Sequence, residues 1–144
     1  MLACIRMLWL GGLATVLIGA VAANPDRWSS FASHAAVPRD VMLLYVGADD
    51  CPPCRAWQRD AGTAFRASAE FARVTYYEVK SPKLRDVLKD EYWPGELRRY
   101  RDQLGSRAGV PLWLVVADQE IVERSFGIGQ WQHAVLPKLR SLLR

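Results

Sequence analysis

Apolar positions along this chain fall into two patterns, short unbroken runs and stripes at helical spacing. VMLLYV at 41–46 and LWLVVA at 112–117 are unbroken runs of strand length, as expected for strands covered on both faces. VTYYEV at 74–79 reads as a further strand, and 121–126 as a more polar edge strand returning from a turn at Asp118-Gln119. Gly47 is expected to end the first of these strands. Trp57, Ala61, Ala64, Phe65, Ser68 and Phe71 recur at helical spacing and predict a helix running to about Ala72. Pro52 and Pro53 fit only its first turn, where a missing N–H costs little. Helical pieces are predicted over 83–90 and 96–104, broken at Trp93-Pro94-Gly95, the second with Leu97, Tyr100 and Leu104 on one face. After breaks at Gly127 and Gly129, Val135, Leu139, Leu142 and Leu143 mark the apolar stripe of a last helix over 131–143. A short helix is also expected over 28–36. Strands separated by helices, then a hairpin, then a helix, make an α/β fold with a mixed sheet.

The chain has 144 residues, enough for one domain with a real core, and 51% of them are apolar, which excludes disorder. The formal charge of +4 is mild, and its basic residues are interleaved with acids around Glu96, Arg98, Arg99, Arg101 and Asp102. That is the pattern of a solvated helix face, and no nucleic-acid partner is expected. The N-terminus says more. Arg6 precedes the uncharged run MLWLGGLATVLIGAVAA at 7–23, and Val21-Ala22-Ala23 supplies the small residues of a cleavage site. Seventeen residues fall short of the ~20 of a spanning helix. Residues 1–23 therefore read as an export signal, with an uncleaved anchor as the alternative, and 24–144 as one exported domain. Membrane contact is expected only if that segment is retained. Cys4 leaves with the signal, so the domain keeps Cys51 and Cys54.

Those two thiols lie at the junction between a buried strand and a helix. As a staple the pair would close too short a loop to stabilise much. A structural zinc site needs four ligands, and beyond the two cysteines the chain offers only His34 and His133, far apart in sequence. No metal or cofactor is expected. Disulfide exchange needs an attacking thiolate, a second thiol to resolve the mixed disulfide, and access for a partner. A helix N-terminus stabilises the anion through its dipole and unpaired N–H groups. Cys51, at the mouth, is expected to be exposed and to attack; Cys54, one turn in, to be buried and to resolve.

Cys51-Pro52-Pro53-Cys54 between strand and helix, then Gly109-Val110-Pro111 before a strand, a hairpin, Gly127 and a last helix, resemble the thioredoxin-like family over nearly all of 40–144. The resemblance implies a thioredoxin fold, a cis Pro111 opposite the disulfide, and a Val110 backbone that pairs with a substrate segment in β fashion. The chain departs from cytosolic thioredoxins at two positions beside the site. Asp50 stands where a tryptophan usually precedes the first cysteine. Tyr45 takes the place of a buried, proton-handling aspartate, so that relay role is not carried over. The connection from Lys80 to Gly109 is also long, and its Tyr92-Trp93-Pro94 is expected to pack onto the domain, with a partner site as the alternative. A narrower likeness, to small periplasmic thioredoxins associated with sulfur oxidation, rests on Cys54-Arg55-Ala56-Trp57 and the export signal. The export signal implies a periplasmic location, and together with the thioredoxin-like resemblance it implies oxidised periplasmic proteins as substrates and a membrane thiol transporter as electron donor.

Direction is read from the residues around the sulfur. Pro52 and Pro53 each delete a backbone donor from the first turn, and no histidine sits between the cysteines. Asp49 and Asp50 either raise the thiolate's energy or cap the helix, while Arg55 compensates in part. A strong oxidant needs an unusually stabilised thiolate, so this domain is expected to have a thioredoxin-like thiol and to act as a reductant. The rival readings are an oxidase or isomerase of the same fold, and a non-catalytic module that uses its Val110-Pro111 edge to hold a peptide.

Overall fold

The computed structural model describes residue 38 and residues 40–106 and 108–144. The expected export signal, the helix over 28–36, Cys4 and His34 lie outside the described residues. Strand β1 (Val41–Ala48) is followed by helices α1 (Pro52–Arg59) and α2 (Ala61–Arg66), strand β2 (Thr75–Ser81), a run of short turns ending in α3 (Arg98–Arg101), strands β3 (Leu112–Ala117) and β4 (Glu120–Phe126), and a last helical segment ending in α4 (Leu136–Leu142). The sheet order is β2-β1-β3-β4, with β1 parallel to β2 and antiparallel to β3, and β3 antiparallel to β4. It is the mixed sheet expected of strands joined by a helical crossover and a hairpin.

Every residue of β1 and β3 is buried, which explains their unbroken apolar runs. Alternation along β1 sends Met42, Leu44, Val46 and Ala48 to one layer, with Val79, Val87, Trp93, Leu97 and Tyr100. Val41, Leu43 and Tyr45 face the other, with Trp57, Phe65, Trp113, Trp131 and Leu139. Asp118 and Gln119 both have positive φ, 47° and 74°, the backbone of a two-residue hairpin whose twist suits the strands it joins.

Gly47 does not end β1; it lies within it. A Cβ there would stand 2.4 Å from the Tyr45 hydroxyl oxygen, so glycine makes room for the phenol two residues earlier on the same face.

The helix expected to run to Ala72 breaks at Asp60. The Gln58 carbonyl accepts from Thr63 Oγ1 and from Arg66 Nη2, each at 3.0 Å, and α2 ends where Ser68 Oγ donates to the Phe65 carbonyl at 2.7 Å. Side chains thus take carbonyls that a continuous helix would use.

The helices expected over 83–90 and 96–104 are mostly i→i+3 turns, at Leu84–Asp86, Asp90–Tyr92 and Gly95–Leu97, and only α3 is α-helical. Trp93 Nε1 donates to the Val87 carbonyl at 2.7 Å, and the indole is 2% exposed. Tyr92-Trp93-Pro94 therefore packs inward through its tryptophan, and the carbonyl it captures is one that a longer helix would need. The last helix opens with a π turn, Trp131–Val135, ahead of α4. Pro137 has no N–H to return to the preceding turn, which favours the wider winding there.

Candidate active site

Cys51 and Cys54 form a disulfide, with their Cα atoms 5.2 Å apart. The chain enters the turn with the Cys51 N–H on the Ala48 carbonyl (3.3 Å), and the first helical bond of α1 runs from Arg55 N–H to the Cys51 carbonyl (3.1 Å). Cys51 is itself the N-cap: its backbone is extended, and its Sγ accepts the Cys54 N–H at 3.2 Å. With Pro52 and Pro53 lacking N–H groups, that amide is the first-turn donor that reaches the sulfur.

Cys51 is 4% exposed and Cys54 fully buried. The order of accessibility is the expected one, but Cys51 is enclosed rather than exposed. The Val110 carbonyl oxygen lies 3.9 Å from its Sγ, and Pro111 beside it is buried. The Val110–Pro111 peptide bond is cis. The Gly127 N–H, just past β4, donates to the Pro111 carbonyl at 2.9 Å and ties this loop to the end of the hairpin. Phe126, which is 59% exposed, lies over Gly109, where a Cβ would come within 2.3 Å of its ring.

The acids ahead of the pair do something the sequence did not indicate. Asp49 pairs with Lys80 (3.3 Å), and its N–H donates to the Ser81 carbonyl (2.9 Å). Asp50 Oδ1 accepts the Leu84 N–H at 2.7 Å. Neither carboxylate caps α1: Asp49 ties the CxxC turn to the end of β2 and Asp50 ties it to the segment that follows, so each is engaged by a partner outside the first turn. Arg55 donates to the Asp49 carbonyl and holds its guanidinium beside the same turn.

Behind the disulfide, Tyr45 is fully buried and stacked on Trp57, with ring centroids 4.5 Å apart and planes at 21°. Its hydroxyl donates to the Cys54 carbonyl at 3.4 Å and accepts from Gln58 Nε2 at 3.2 Å; Gln58 also donates to Glu78 Oε1 at 3.3 Å. Burial pushes the Tyr45 hydroxyl up to about 12, with the Gln58 hydrogen bond opposing and the Glu78 charge adding. A phenol so shifted stays protonated at neutral pH and holds no base beside the cysteines.

Sequence reasoning missed Gln58, Glu78 and Leu84. The first stands one helical turn beyond Cys54, and the second is the register partner of Tyr45 across β1 and β2, so both were traceable once the strands were paired. Leu84 carried no signal. His133 is on the last helical segment, and among the described residues no three His, Cys, Asp or Glu side chains cluster so as to hold a metal. Among the same residues no helix is long and apolar enough to cross a membrane.

No family model and no curated protein sequence matches the chain. Solved structures do. Thioredoxin f from spinach chloroplast superposes with a TM-score of 0.50 at 16% identity, over 76% of this chain and 81% of that one. The periplasmic thioredoxin SoxS from Paracoccus pantotrophus, in its reduced form, gives 0.49 at 14% identity over 73% of this chain and all of that one. The chain has the thioredoxin fold, with its CxxC disulfide immediately ahead of α1.

Proposed function

We propose that this thioredoxin-fold chain is an exported thiol–disulfide oxidoreductase that reduces disulfides in other proteins through Cys51 and Cys54. The observation that carries the reading is the placement of the pair. The two sulfurs are bonded at the open end of α1, with Cys51 Sγ accepting the Cys54 N–H and lying 3.9 Å from the Val110 carbonyl.

In the dithiol form, the Cys51 thiolate attacks one sulfur of a partner disulfide. A mixed disulfide forms, and the other partner sulfur leaves as a thiolate that takes up a proton. Cys54 then loses its proton and attacks Cys51 Sγ, closing the bond seen here and releasing the second partner thiol. Two electrons pass to the partner, and a dithiol donor must return two electrons and two protons to reopen the site. The partner strand pairs with the Val110 backbone at the cis-proline loop.

The reducing direction is supported by the first turn. Two prolines leave the Cys54 amide to stabilise the thiolate, and no histidine adds a positive charge between the cysteines. Export to the periplasm is supported by the pattern at 7–23. In that compartment the substrates are oxidised periplasmic proteins, and the electrons come from a membrane thiol transporter.

The test is insulin reduction by the protein with dithiothreitol, followed by equilibration with a glutathione couple. The reading expects turnover that is lost in Cys51→Ser, and a potential near about −270 mV. A value near about −120 mV overturns the direction, and wild-type protein inert to every dithiol donor overturns the activity. Trapping with Cys54→Ser then identifies substrates and donor from their mixed disulfides.

A further inference from the structure

A groove of about 470 Å³ lies between Leu84, Val87 and Leu88, from the connection after β2, and Ala108 and Gly109, just ahead of the cis-proline loop. Both walls are built into the site. The second runs directly into Val110, whose carbonyl faces Cys51 Sγ. The first is fastened to the CxxC turn by the 2.7 Å bond from the Leu84 N–H to Asp50 Oδ1. Val87 is buried beneath, while Leu84 is 46% exposed, so the groove offers an accessible aliphatic side chain over an apolar floor.

The groove also carries a charge. Arg85 is on its lining and its side chain is 77% exposed; it pairs loosely with Asp86 Oδ1 at 3.9 Å, and the same oxygen also pairs with Lys89 at 2.9 Å. One carboxylate thus serves two cations, and Arg85 keeps a solvent-facing positive charge at the apolar opening. Such a surface is complementary to an aliphatic side chain accompanied by a carboxylate.

We infer that this groove receives the extended partner segment flanking the target cysteine, taking a leucine-sized side chain against Leu84, Val87 and Leu88 and an acidic side chain against Arg85. The inference rests on the oxidoreductase reading above and adds to it a preference among partners. Asp50 is the positioning residue. Asp50 immediately precedes Cys51, and its carboxylate ties Leu84, 34 residues on, to the CxxC turn.

The experiment uses the reduced protein and short peptides whose single cysteine is capped by thionitrobenzoate. Each turnover oxidises the protein dithiol to its disulfide and yields a peptide thiol and the coloured aryl thiol. Peptides carrying Leu and Asp beside the cysteine are expected to react about tenfold or more faster than those carrying Ser and Asp. In Leu84→Ser that ratio falls to about threefold or less, and Ala108→Trp, which fills the groove from the opposite wall, lowers it likewise. Arg85→Glu reverses the preference for Asp over Lys, and salt weakens that preference while sparing the one for Leu. Asp50→Ala lowers the leucine ratio, and Asp50→Asn restores it because its amide oxygen still accepts the Leu84 N–H.

Hydroxyethyl disulfide, too small to reach the groove, separates the two ideas. If wild type reduces it but treats all peptides alike, or if the leucine preference survives in Leu84→Ser, the groove assignment is overturned and the activity stands. If wild type reduces neither it nor any peptide, both readings fall.

Discussion

The hydroxyl of Tyr45 donates to the carbonyl of Cys54 at 3.4 Å, across the back of the disulfide and away from solvent. This bond joins the central strand to the first turn of α1, the turn whose amide faces Cys51 Sγ. A phenol raised to about 12 by burial braces that turn without exchanging protons with it near neutrality.

Tyr45→Phe should therefore lower stability by about 0.5–1.5 kcal/mol, the net worth of a hydrogen bond, while the ring keeps its stacking on Trp57. The pH dependence of thiol exchange between pH 6 and 9 should be unchanged in shape. Denaturant titration and stopped-flow exchange check the two parts. An inflection that disappears in the variant would mean that Tyr45 handles protons after all.

The same burial predicts a loss of stability in alkali. The folded state raises the Tyr45 pKa from its ordinary value of 10.0 to about 12, so folding favours the protonated phenol. The associated stability is fully present below pH 10 and is lost as pH rises through 12, to the extent of about 2–3 kcal/mol. Burial pushes Tyr76 up in the same direction, with the Glu78 charge adding. The urea midpoint should fall between pH 10 and 12 in wild type and fall less in Tyr45→Phe. Equal slopes in the two proteins would remove Tyr45 from the account.

Trp93 shows where the sequence was readable and where it was not. The runs at β1 and β3 announced themselves because both faces of those strands are covered, and the cysteine spacing announced the site. The connection after β2 did not, because its winding is decided by one indole taking the Val87 carbonyl, a contact invisible to helical periodicity. The bond from Asp50 to Leu84 is equally silent: it links residues 34 apart that share no motif. The break at Asp60 is a local contest over the Gln58 carbonyl, which Thr63 and Arg66 win with side-chain donors that spacing rules do not weigh.

If Trp93 is the plug of this connection, Trp93→Ala should cost about 3–5 kcal/mol, the range for emptying a buried aromatic site. Trp93→Phe should cost less, since it keeps most of the volume but leaves the Val87 carbonyl without its indole donor. Denaturant unfolding of both variants checks the order. A loss below about 1 kcal/mol in Trp93→Ala would show that the turns hold without it.

The proposed reducing direction rests on how little the first turn offers the Cys51 thiolate, and Pro53→His changes that directly. Pro53 is exposed, so an imidazole there finds room without disturbing the core. The substitution restores one backbone N–H near the sulfur and adds a side chain that is partly cationic at pH 7, and both favour the thiolate over the disulfide. Stabilising the reduced form makes the couple more oxidising, so the potential should rise by at least about 30 mV, a tenfold change in the two-electron equilibrium. Leaving Asp49 and Asp50 unaltered isolates the effect, because Lys80 and the Leu84 N–H already engage their carboxylates. Equilibration of wild type and variant with the same glutathione couple gives the difference directly. A shift smaller than about 10 mV would mean that the prolines do not set the potential, and would remove the first turn as support for the proposed reducing direction.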